Sequence, residues 1–243
     1  MRTLILDIET VGEAWSSLDD VTQTSLTQWI DHKERTLLEK QALHTNVQNE
    51  LGLSPFTGRI TALGVYDVER QHGAVYFVGV GAESDEVVGE FILKQRSEAM
   101  ILKEFWEGAK EYDTFVTFNG RSFDMPFIIH RSLAHGIRPS QELMKYRYLS
   151  HQSAPYHIDL QDELTWYGAM RIRPSLHILC RTYGITSPKI DGIDGRDASH
   201  LFDQKKFRDI AIYNARDVVA IKELYDLWLK NLAPVNFLKS LEF

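Results

Sequence analysis

Apolar and polar positions alternate most sharply near the N-terminus, in Leu4-Ile5-Leu6-Asp7-Ile8-Glu9-Thr10. A period of two predicts a β-strand whose successive side chains point to opposite faces. Asp7 and Glu9 then share one face, and Leu6 and Ile8 the other. Thr10-Val11-Gly12 ends the run. Residues 13–51 are polar, with Leu26, Trp29, Ile30, Leu37 and Leu38 at roughly helical spacing, which predicts a helical insertion over the sheet edge. After the turn signal Ser54-Pro55-Phe56-Thr57-Gly58, Arg59–Val68 and Gly73–Val80 are rich in β-formers and predict a hairpin.

Met100, Ile101, Phe105 and Trp106 mark an amphipathic helix over 97–112, and Phe115–Phe118 a short strand that Asn119-Gly120 breaks. A helix follows from Phe123 to Ala134, ending at Gly136. The tract Pro139–Pro155 is basic and aromatic without a period. His157–Leu160 reads as a final strand, and Leu176–Tyr183 as a short helix closed by Gly184. Residues 186–200 are a glycine- and aspartate-rich loop, a long helix runs from about 204 to 232, and 233–243 form a C-terminal tail. Without repeats or a linker, residues 1–243 read as one mixed α/β domain.

Composition narrows the class. A content of 44% hydrophobic residues supports a sizeable core, and a single cysteine, Cys180, excludes an internal disulfide. No apolar run approaches the ~20 residues that span a bilayer, and two acids interrupt the first apolar stretch, unlike a signal peptide. A cytoplasmic protein with no membrane partner is expected. The net charge of −7 argues against a sequence-tolerant duplex binder. Lys and Arg nevertheless outnumber Asp and Glu over 140–216, while acids dominate 1–60, which leaves room for an enzyme that grips a few nucleotides.

Taken alone, Asp7 and Glu9 fit an edge strand with a solvated acidic face. Two further carboxylates change that reading. Asp124 falls in a first helical turn after a strand end, where open α/β sheets bind ligands, although a capping role fits it equally. In the last long helix, Tyr213 and Asp217 lie four apart and share a face. That face continues through Ala220, Ile221, Leu224 and Trp228, so Asp217 sits on the buried stripe. A carboxylate there is costly unless it is paired, for instance with Arg216, or binds a cation. Four carboxylates gathered near one strand suit two divalent cations, Mg²⁺ or Mn²⁺, clamping the oxygens of a phosphoryl displacement. In that scheme Asp7 bridges both ions, Glu9 and Asp217 complete the water-activating site, and Asp124 holds the second ion. Tyr213 orients the water or helps deprotonate it.

Together, Asp7-Ile8-Glu9, Asn119-x₃-Phe123-Asp124 and Tyr213-x₃-Asp217 resemble the three motifs of the DEDD 3′–5′ exonucleases. They are most similar to the proofreading exonuclease domain of family B DNA polymerases. Ile212 occupies the position of the histidine in the histidine subtype, so the match is to the tyrosine subtype. The resemblance implies a ribonuclease H-like fold with a five-stranded mixed sheet, and a stand-alone exonuclease releasing mononucleotides from a 3′ end. It also implies that Asn119 and Phe123 sit near the terminal nucleotide, with Phe123 stacking on a base or simply packing. Lys189 and Arg196 are candidates for phosphate contacts, against the alternative of a solvated loop. Asp159 reads as structural, and His157 and His177 as packing or loop residues, because hard oxygen sites rarely recruit imidazole. Frayed bases that stack on aromatics favour a single strand with a free 3′ end, DNA ahead of RNA. The competing readings are a catalytically idle nucleic-acid-binding module, a ribonuclease H-like endonuclease or resolvase, and an exonuclease directed at RNA. A glycosidase also pairs carboxylates but has no call for a fourth acid beside a tyrosine.

Overall fold

The alternating run forms strand β1 (Thr3–Gly12), which lies inside a sheet with a neighbour on each side. In a computed structural model, residues 1–31, 35–188 and 197–241 are described. Beyond β1 come helices α1 (Asp20–Asp31) and α2 (Leu37–Asn49), the latter opened by a capping box between Thr36 and Glu39. The predicted hairpin is β2 (Gly58–Asp67) and β3 (His72–Phe77). Then follow β4 (Ser84–Val88), β5 (Phe91–Gln95), α3 (Glu98–Ala109), β6 (Thr114–Thr117), α4 (Asp124–Ala134), β7 (Tyr156–Asp159) and α5 (Leu160–Leu164). The chain closes with α6 (Leu176–Tyr183), α7 (Asp197–Asp203), α8 (Phe207–Asn231) and α9 (Val235–Leu241).

The sheet has the order β4-β5-β3-β2-β1-β6-β7. It is mixed: β1 runs antiparallel to β2 and parallel to β6, and β7 continues parallel beyond β6. The sheet thus has seven strands rather than the five that the resemblance implied. The additional pair is β4 and β5, an antiparallel hairpin that joins the β3 edge. Its outer strand is the largely exposed, acidic Ser84-Asp85-Glu86-Val87-Val88, a stretch for which the sequence predicts no element. Charged residues on such an edge discourage pairing with other chains.

The alternation along β1 sorts residues into two cores. Leu4, Leu6 and Ile8 pack against Ile101, Phe105 and Trp106 of α3 and Met125 and Ile128 of α4. On the other face, Ile5 joins Val116 and Ile158 under Val218, Ile221, Leu224 and Trp228 of α8. Asp7 and Glu9 follow Ile5 in register, so they look toward α8. Residues 233–241 are more than a tail: they include α9, whose Phe237 packs on Tyr156 and Trp228. Among the described residues, no helix is long and apolar enough to cross a membrane.

Candidate active site

The site forms where β1 outruns its neighbour. β6 pairs with β1 only as far as Ile5, which leaves the next inward-facing amides without a strand. Asp124, in the first turn of α4, takes over: its Oδ1 accepts a hydrogen bond from the Ile8 amide at 3.0 Å. One oxygen of Asp124 is therefore committed to holding β1 in place. On the other edge, the β1–β2 register shifts between Glu9 and Thr10, where Thr61 is the extra residue. Thr61 Oγ1 donates to the Glu9 carbonyl at 3.1 Å. A bulge of this kind re-aims the neighbouring side chain, here beside Glu9.

α8 completes the site from above. Asp7, Glu9 and Asp217 each place a carboxylate oxygen within 4.8 Å of the other two. Asp124 stands outside that trio, yet it is buried close enough to be the leading charge acting on Asp7. Tyr213, one turn before Asp217, is also buried and hydrogen-bonds its carboxylate. The structure therefore brings together all five residues that the sequence singled out for chemistry.

It also supplies one that the sequence reading did not mark. Asn214 is fully buried, and its Nδ2 donates to Asp7 Oδ2 at 2.8 Å. Its Oδ1 has no hydrogen-bond partner among the described residues. The signal available was an amide on the apolar stripe of α8, beside Tyr213. Asn214 reaches Asp7 because the β2 residue paired with Asp7 is Gly64. A Cβ on Gly64 would lie 2.2 Å from Asn214 Oδ1.

The remaining candidates lie around this centre. Asn119 has φ +62°, a left-handed turn that carries the chain from β6 into α4. Its amide and that of Arg121 both donate to the Asp159 carboxylate at 2.9 Å. Asp159 also caps α5 through the amides of Gln161 and Asp162, which accords with the structural role read for it. Phe123 is half-buried with its ring against Phe127, a packing position. Lys189 and Arg196 lie outside the described residues. His157 is buried between Thr117 and the Leu143 carbonyl, and burial lowers its pKa to about 3. His177 pairs with Ser187. Neither histidine joins the carboxylates.

The electrostatics of the cluster are unfavourable without a cation. Burial raises the pKa of Asp7 well above the usual carboxylate range, and repulsion from Asp124, Asp217 and Glu9 adds to it, against the Asn214 hydrogen bond. Glu9 is raised by burial and by Asp217 and Asp124. Asp124 is pushed up to about 7, chiefly by burial, with the Ile8 amide opposing. Burial and then Asp217 raise the Tyr213 phenol as well. These all-oxygen donors, buried and mutually repelling, fit a hard divalent cation such as Mg²⁺ or Mn²⁺. A raised carboxylate pKa means that the folded state holds a proton the unfolded chain has released. Its stabilising effect is complete below the unfolded pKa and disappears as pH rises through the folded one. Metal-free protein is therefore expected to lose stability as pH rises from the usual carboxylate range through about 7, where Asp124 ionises, with the raised Asp7 and Glu9 adding to the loss. Thermal melts in chelator from about pH 5 to about pH 9 check this, and added divalent cation is expected to restore most stability at the alkaline end.

The comparisons agree with this architecture. The family described as "predicted 3′-5′ exonuclease related to the exonuclease domain of PolB" matches residues 72–238, more than half of the chain. No curated protein matches it. Among solved structures, the family B DNA polymerase of the hyperthermophilic archaeon Pyrobaculum calidifontis superposes with a TM-score of 0.58 at 15% identity. The superposition covers 94% of this chain and 24% of the polymerase, so the chain spans about a quarter of that protein's length. The shared fold is the ribonuclease H-like exonuclease fold, built here on seven strands.

Proposed function

Because the chain belongs to the family of predicted 3′–5′ exonucleases related to the exonuclease domain of PolB, we propose that it hydrolyses single-stranded nucleic acid from the 3′ end, DNA in preference to RNA, with two divalent cations. The observation that carries this reading is the meeting of Asp7, Glu9 and Asp217 within 4.8 Å, with Asp124 buried beside them. Asp7, central to the cluster, would be shared between the cations, Glu9 and Asp217 would complete one site, and Asp124, which anchors β1, would contribute to the other. What the cations supply when bound is polarisation of the phosphoryl oxygens and acidification of the attacking water.

The chain's own groups do the rest. Asn214 holds one oxygen of Asp7, which fixes the rotamer of the shared ligand. Tyr213 acts as a donor rather than a base, because its environment raises a phenol pKa that is already near 10. Its one hydroxyl proton goes to Asp217, which fixes the direction of the hydroxyl and leaves its oxygen to accept from, and so orient, the incoming water. Asn119 and Phe123, at the head of α4, border the place of the terminal nucleotide.

Three labelled substrates test the proposal: an oligonucleotide with a free 3′-hydroxyl, the same strand blocked at its 3′ end, and a closed circle. Stepwise release of mononucleotides from the free end alone is expected in Mg²⁺ or Mn²⁺. Cutting of the circle would instead make the chain an endonuclease. Matched DNA and RNA strands in the same assay rank the two polymers.

A further inference from the structure

Two stretches outside the carboxylate site, 145–151 and 162–173, interlock into one exposed face. The Tyr148 ring lies 4.7 Å from that of Tyr167. The Tyr167 hydroxyl accepts from the Leu149 amide at 3.0 Å and donates to Glu163. Arg147 grips Asp162 with Nε and a terminal nitrogen at 2.8 and 2.7 Å, and Arg173 reaches the same carboxylate at 3.7 Å. Asp162 is buried, while Lys145, Arg147, Arg171 and Arg173 remain open to solvent. The acids are thus turned inward and the cations outward.

Aromatic rings stand among those cations. Tyr146, Tyr148 and Trp166 are 46%, 48% and 62% exposed. Tyr148 and Trp166 border a hollow of about 280 Å³ that Trp228 and Leu232 also line. Trp166 and Tyr167 have φ of +48° and +55°, two successive bulky residues in a region that such residues rarely adopt. The turn persists because Tyr167 is fixed at both ends, its amide on the Asp162 carbonyl and its hydroxyl on Glu163. The consequence is an indole held out into solvent.

This face is tied to the candidate active site through one carboxylate. The Asp159 carboxylate gathers the amides of Asn119 and Arg121, just before Asp124, and those of Gln161 and Asp162 at the head of α5. Asp162, which holds Arg147 and Arg173, is thus one turn from the group that fixes the Asp124 loop.

We propose that this face carries the body of the substrate strand, upstream of the 3′-terminal nucleotide, with bases stacked on Trp166 and Tyr148 and phosphates beside Arg147, Arg171 and Arg173. The assignment rests on the exonuclease reading above. Alternating rings and guanidinium groups match a single strand, which offers a π-face and a negative charge at every nucleotide, whatever its sequence.

Trp166→Ala, Trp166→Phe and Arg171→Gln test it with oligomers of about 4 and about 16 nucleotides. The alanine variant is expected to lower the ratio of kcat/KM for the long oligomer to that for the short one by about 5- to 100-fold. Phenylalanine, which still stacks, restores most of the ratio, and Arg171→Gln flattens the salt dependence of long-strand binding. Anisotropy of a labelled long strand in chelator reads binding without hydrolysis, and melting curves confirm that each variant folds. An unchanged ratio together with unchanged long-strand binding in Trp166→Ala overturns the proposal. If the native chain hydrolyses no nucleic acid at all, the exonuclease reading fails. The binding measurement then still decides this one, because weaker binding by Trp166→Ala upholds the face as a strand site and equal binding removes it.

Discussion

Exchanging Asp7 for asparagine is expected to lower hydrolysis of a free 3′ end by about a thousandfold or more, while making the metal-free protein more stable at alkaline pH. The first effect follows from the several kcal/mol of charge stabilisation that a correctly held cation contributes, each 1.36 kcal/mol being a factor of ten in rate. The second follows from the cluster itself. Asp7 is raised by burial and by repulsion from three neighbouring carboxylates, so a neutral isostere relieves strain that the native side chain causes once it ionises. An asparagine at position 7 can still offer an oxygen to Asn214 Nδ2, which keeps the local packing. Steady-state rates in Mn²⁺ and melting temperatures in chelator at about pH 8 read the two effects separately. A variant that lost both activity and stability would contradict this account, because it would make Asp7 a structural residue.

Gly64→Ala is expected to disable the same site from the neighbouring strand, on the same face of the sheet. The new methyl would lie 2.2 Å from Asn214 Oδ1 and 2.8 Å from Val218 Cγ2. Overpacking of this size costs about 1–3 kcal/mol, measurable by urea denaturation. Because Asn214 must swing away from Asp7, cation affinity is expected to fall about 10- to 100-fold, the usual effect of losing a group that orients a ligand. Adding Asn214→Ala to Gly64→Ala removes the tighter of the two clashes and leaves that with Val218, so stability should recover in part while cation affinity does not. Calorimetric titration of Mn²⁺ into the two single variants and the double variant closes the cycle.

What the sequence disclosed and what it hid follow from the range of the signals. Asp7 with Glu9, and Tyr213 with Asp217, are local patterns with periods of two and four, legible wherever an acid sits on an apolar face. The alternation along β1 likewise separates Ile5 from Leu6 and Ile8, which lie in two different cores. Asn214 and Gly64 matter only as a pair, 150 residues apart in the chain and in contact across the α8–β2 interface. Neither has a pattern of its own. β4 escaped notice because an exposed acidic edge carries no hydrophobic period, and α5 because five residues are too few to show one. The C-terminal stretch read as a tail, since among the described residues of α9 only Phe237 is buried in the core.

The long excursion between β1 and β2 begins and ends at nearly the same point. Thr10 Oγ1 donates to the Gly52 carbonyl at 2.6 Å and the Glu13 amide to that of Thr57 at 2.8 Å. At Gly12 a Cβ would stand 2.7 Å from Leu51 Cβ. Such a closed neck makes everything beyond it a detachable cassette, because shortening a surface loop with adjoining ends changes its closure entropy only slightly. Replacing 14–50 with a tight turn should leave the sheet intact in a circular-dichroism melt. The segment can then be exchanged, by a protein engineer or by descent, without touching the carboxylates of β1.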